Sequence, residues 1–254
     1  MKQCWASILG DCGDEISKEH LVSASLWETR SIYAKGFPWC REEMKAFGIN
    51  SLASKILCKH HNNALSPLDT AAGIAFDALR RSAEIGNERQ ASSSTEWPVV
   101  ELVVSEARLL ERWFLKTVLN LTTLDPGSIL WRQTGLSLAE PPELLVRMAF
   151  GLETIREPYG LYAAVTVGEQ ILMHDSFVFS PLMYDGSQMV GAMVEFRGLR
   201  FVLHLESLPL PETLELPAAK IERWRTGDLL FRLRGANFVV KGRHSHVVRF
   251  DWSA

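Results

Sequence analysis

Apolar positions recur along this chain with two different periods, and the change from one to the other organises it. Within Ser105–Leu121, Leu109, Leu110, Trp113, Phe114 and Leu119 fall on one broad face, with Glu106, Arg108, Glu111, Arg112 and Lys116 mostly elsewhere. That pattern predicts an amphipathic helix. A shorter helix is expected over Pro142–Glu153. Ser66-Pro67-Leu68-Asp69 reads as a helix start, with Ser66 as cap, Pro67 at the first helical position and Asp69 in the first turn. Ala72, Ala75, Phe76 and Leu79 then give a helical body over Thr70–Ser82. Farther on, the segments Leu161–Val167, Val178–Tyr184, Met189–Glu195, Leu199–Glu206, Leu229–Leu233, Phe238–Lys241 and His246–Asp251 read as strands. Several are separated by Asp-Gly, Arg-Gly or Lys-Gly turn pairs. The expected fold class is α+β. Gly86–Trp97, with its serine run, has linker composition, so the chain is expected to divide into 1–85, a linker at 86–97, and an α+β domain with an antiparallel sheet at 98–254.

With 254 residues, 47% hydrophobic and 22% charged, the chain can bury a full core. Its longest apolar stretches, such as Leu144–Leu152, fall far short of the ~18–20 residues that span a bilayer. Met1-Lys2-Gln3-Cys4 lacks the apolar core of a signal peptide, so a cytoplasmic protein is expected. The net charge of −3 by itself says nothing in favour of a nucleic-acid partner, but its distribution allows a local basic surface. From Lys220 onward eight cations face three anions, a local charge of +5 against −8 for the rest. Arg223, Arg225, Arg232, Arg234, Lys241 and Arg243, interleaved with Trp224, Phe231 and Phe238, are the residues expected to hold phosphates and stack bases.

All four cysteines lie within the first 58 residues. In a reducing compartment that placement favours metal binding over disulfides. Cys58 and His61 form a C-x2-H pair of the kind used in structural zinc sites; Cys4 and Cys12 form a looser second pair. Cys40 rivals either slot, and His60 competes with His61. Before the second pair, Ile16–Ser25 reads as a strand or extended arm presenting Glu19 and His20, whose side chains alternate in direction. Asn62 directly follows His61 and is fixed by it. Asp69 suits either the helix start or a bond to a ligand imidazole.

Ser17-Lys18-Glu19-His20 together with Leu57-Cys58-Lys59-His60-His61-Asn62-Asn63 resembles the HNH, or ββα-metal, endonuclease superfamily, especially its recombination endonuclease VII-like members. The resemblance covers roughly residues 4–80, and implies an N-terminal zinc-stapled ββα-metal domain. It implies that His20 is the general base and that Glu19 and Asn62 bind a catalytic Mg2+ or Mn2+. Cys4, Cys12, Cys58 and His61 then hold a structural Zn2+. DNA ahead of RNA as substrate, and a role in restriction or phage defence with a protein partner, are further implications. This sequence differs from the family pattern in its glutamate for aspartate and in the long insert Trp27–Lys55. The rival reading is a zinc-stapled nucleic-acid-binding or protein-interaction module without catalysis.

Overall fold

The computed structural model describes residues 4–94, 96–124, 141–156, 159–166, 174–184, 188–205, 228–232, 239–241 and 246–253. Near the N-terminus, β1 (Ile16–His20) pairs antiparallel with β4 (Ala53–Cys58), and α1 (Lys59–Ala91) follows directly. The insert between these strands contributes β2 (Ser31–Lys35) and β3 (Lys45–Gly48). Beyond α1 come β5 (Val100–Val104), α2 (Ala107–Thr123), α3 (Glu143–Ala149), β6 (Gly160–Thr166), β7 (Ser176–Tyr184), β8 (Gln188–Phe196) and β9 (Leu199–His204). The chain closes with β10 (Asp228–Arg232), β11 (Val239–Lys241) and β12 (His246–Phe250). A seven-stranded sheet runs β10-β6-β9-β8-β7-β2-β3, antiparallel except where β2 meets β7, and a smaller sheet runs β11-β12-β5. The α+β class is thus observed.

Helix α1 starts eight residues before Pro67, not at it. Cys58 caps it, its sulfur accepting from the His61 amide at 3.4 Å. Proline inside a helix removes one hydrogen bond, here to the Asn63 carbonyl. The Ser66 hydroxyl donates to that carbonyl at 2.9 Å and offsets the loss. Both α1 and α2 press apolar faces onto the seven-stranded sheet: Phe76 meets Phe196 with ring centroids 4.1 Å apart, and Phe114 meets Phe201 at 4.8 Å. At the β8–β9 hairpin, Arg197 and Gly198 both take positive φ, as a two-residue turn matched to strand twist requires.

The expected division at 86–97 coincides with a chain feature but not with a break in packing. Helix α1 runs through its first half, and residues 96–99 have no regular secondary structure. One apolar core nevertheless includes residues from Cys4 to Phe250, and β2 and β3 extend the same sheet as β7. The N-terminal strands therefore rest on α2, which lies beyond the expected boundary.

His204 on β9 is buried against Tyr159, with no partner for its Nδ1 among the described residues. Burial pulls its imidazole down to about 4. Because the folded value lies below the unfolded one, the stability tied to the neutral ring is present above about pH 6.5 and is lost as pH falls through about 4. Urea melts across this window should show a loss on the order of 3 kcal/mol that His204→Phe removes. Parallel pH curves for the two proteins would show that the ring is not held neutral.

Candidate metal centre

Four sequence-predicted ligands converge beneath the β1–β4 pair. Cys4 and Cys12 come from the arm before β1, Cys58 from the end of β4 and His61 from the first turn of α1. Their ligand atoms all lie within 4.8 Å of one another. His61 Nδ1 stands 3.3, 3.6 and 3.2 Å from the sulfurs of Cys4, Cys12 and Cys58. In a tetrahedron with Zn–S near 2.3 Å and Zn–N near 2.0 Å, the sulfur-to-nitrogen edge is about 3.5 Å. One ring nitrogen has either a proton or a lone pair, so it cannot serve three sulfurs by hydrogen bonding. A single cation at their centre satisfies all four. The cluster could therefore bind a metal such as zinc.

Asp11 completes the arrangement, and sequence reasoning missed it. Its carboxylate lies 2.7 Å from His61 Nε2. A proton on Nε2 leaves the Nδ1 lone pair to the metal, the carboxylate–histidine–metal pattern. An acidic residue adjoining a proposed cysteine ligand was the available signal. Burial pushes the Cys4 thiol up to about 12 in the absence of a cation, so metal binding must displace its proton. Neither rival enters the cage: Cys40 is buried in the Phe37–Cys40 turn, and His60 is exposed.

Beside the cage, strand register is irregular between Ser17 and Glu19. There Asn62 Nδ2 donates to Ser17 Oγ at 3.0 Å and to the Lys18 carbonyl at 3.2 Å. Its Oδ1 makes no hydrogen bond among the described residues and remains an oxygen donor. His20 lies two residues along β1 from that carbonyl, roughly 6–7 Å of strand. The His20 Nε2 is covered from solvent and has no hydrogen-bond partner among the described residues.

Glu19 departs from the expected cation-binding role. It is buried, and its Oε1 lies 2.6 Å from Lys116 Nζ and 3.4 Å from Asn120 Nδ2, both on α2. Burial raises the Glu19 carboxyl, and Lys116 opposes that effect. Asp69 turns to the same ammonium, 2.8 Å away, and accepts from Ser23 Oγ. It therefore bonds no ligand imidazole. Among the proposed phosphate-binding residues, Arg223, Arg225, Arg234 and Arg243 lie outside the described residues, while Arg232 and Lys241 are placed on β10 and β11. Among the described residues no helix is long and apolar enough to cross a membrane.

No family model, curated protein or solved structure matches this chain.

The cage predicts close to one zinc per chain by elemental analysis. Cys58→Ser should lose the metal and unfold at lower denaturant, Cys40→Ser should keep both, and Asp11→Asn should weaken zinc affinity about 10–100-fold. Zinc retained by Cys58→Ser would exclude this ligand set. The buried ion pair gives a second expectation. Lys116→Met should destabilise by about 3 kcal/mol in urea melts, and adding Glu19→Gln should recover much of it, because the loss comes from an unpaired buried charge. No recovery in the double variant would contradict that cause.

Proposed function

We propose that this chain is a metal-dependent endonuclease that hydrolyses phosphodiester bonds of DNA on a ββα-metal plan. The observation that carries the reading is the unpartnered Nε2 of His20, at the end of a strand held beside a four-ligand metal cluster. A buried imidazole nitrogen with no partner costs about 1–3 kcal/mol, so a scaffold that keeps one favours a role for it. In this reading His20 accepts the proton of a water that attacks phosphorus in line, and cleavage leaves a 5′-phosphate and a 3′-hydroxyl.

The zinc cluster holds β1, β4 and α1 in place and takes no part in proton transfer. Asn62 Oδ1 suits a hard divalent ion such as Mg2+ or Mn2+. When bound, such an ion neutralises charge on the phosphate and the leaving oxygen. Glu19 does not fit that ion, because Lys116 already neutralises it. The proposal therefore places Glu19 in the scaffold. Restriction or phage defence, with a protein partner, is the setting that the family resemblance supplies.

One observation favours a second reading, a zinc-stapled binding module without catalysis: His20 Nε2 is covered and the neighbouring carboxylate is engaged. Supercoiled plasmid incubated with Mg2+ or Mn2+ separates the two. Nuclease chemistry predicts nicking that His20→Ala lowers at least 100-fold with zinc content unchanged, since general-base catalysis contributes roughly 10²–10⁴-fold. Equal nicking by both proteins would remove His20 from the chemistry. Retention of DNA in a mobility-shift assay without cleavage would support the binding module.

A further inference from the structure

We infer that Asn120, on α2 and outside the strands that carry the metal cluster, is a positioning residue for His20. The inference rests on the reading of His20 as the general base. Asn120 is fully buried on α2 between Leu119 and Leu121, which are also buried. An amide in that setting is costly unless it is bonded, and here both ends are. Its Oδ1 accepts from Trp5 Nε1 at 3.0 Å. Its Nδ2 donates to the His20 carbonyl at 3.2 Å and lies 3.4 Å from Glu19 Oε1.

These partners link two parts of the proposed site. Trp5 directly follows Cys4, so the Oδ1 bond holds the arm that delivers one cage ligand. Glu19 and His20 end β1, and the bond to the His20 carbonyl fixes the peptide from which the imidazole projects. Lys116, one helical turn before Asn120, neutralises Glu19 and holds the strand to the same face of α2. Outside this contact, the strand end is held by pairing of His20 with Ala53 and by the Leu21 amide on the Leu52 carbonyl. Pairing fixes the strand within its two-stranded ribbon. Asn120 fixes that ribbon against α2, and with it the direction of the His20 ring.

Asn120→Leu, close in volume, tests this against Leu119→Ala, a neighbouring core truncation that touches none of these bonds. Zinc content, Tm, the kcat and KM of duplex cleavage with Mg2+, and the ring resonances of His20 by NMR are measured for both. Asn120→Leu should keep its zinc, lose roughly 10–100-fold in kcat with KM within about 2-fold, and shift the His20 ring resonances. Leu119→Ala should lower Tm while leaving kcat and those resonances near wild type. Unmoved His20 resonances in Asn120→Leu, or kcat losses that follow Tm alike in both variants, would overturn the positioning role. Failure of wild type to cleave, or cleavage by His20→Ala at the wild-type rate, would instead remove the general-base reading, and the resonances would still decide whether Asn120 holds the ring.

Discussion

Three sulfurs crowd one imidazole nitrogen in this protein, an arrangement that a cation at their centre would resolve. The β1–β4 pair is only two strands wide, too small to be stable alone in water. It is fixed from below by the cluster of Cys4, Cys12, Cys58 and His61, and from the side by α2. Cys58 serves twice, as a member of the candidate metal cluster and as the cap of α1. Its two roles tie the helix axis to the cluster, and Asn62, one residue past His61, meets β1 at the Lys18 carbonyl.

The side support is polar. Glu19 and Lys116, both buried, and half-buried Asp69 form a chain of alternating charge, and Asn120, Trp5, Ser23 and Trp113 satisfy the groups around it. Such a network adds little net stability compared with apolar packing, but it specifies one arrangement, because any shift leaves a charge unpaired. It also removes Glu19 from solvent. The acidic residue that the family resemblance assigns to a catalytic cation is here an anchor of the strand, bound to Lys116.

Much of this was legible in the sequence because the signals were local. The C-x2-H pair, the extended segment presenting Glu19 and His20, and the helical face of α2 each rest on residues close in the chain, and each appears in the structure, though the strand expected over Ile16–Ser25 stops at His20. The seven later strands were legible through period-two alternation and turn pairs. Pro67 looks like a first-turn residue and so predicts a helix start at Ser66; the capping sulfur of Cys58 and the Ser66 hydroxyl on the Asn63 carbonyl permit a longer helix. Strand β5 escaped because its partner β12 lies far away in sequence, and β2 and β3, which pair with each other, join the larger sheet only through distant β7. The engagement of Glu19 escaped for the same reason, since Lys116 lies across the fold in a helix whose charged residues read as a solvated face.

X-ray absorption at the zinc edge, on purified protein without added metal, tests the central claim most directly. The expected result is a first shell of three sulfurs at about 2.3 Å and one nitrogen at about 2.0 Å, with imidazole scattering beyond it. A shell of nitrogen and oxygen alone, or one containing four sulfurs, would contradict it.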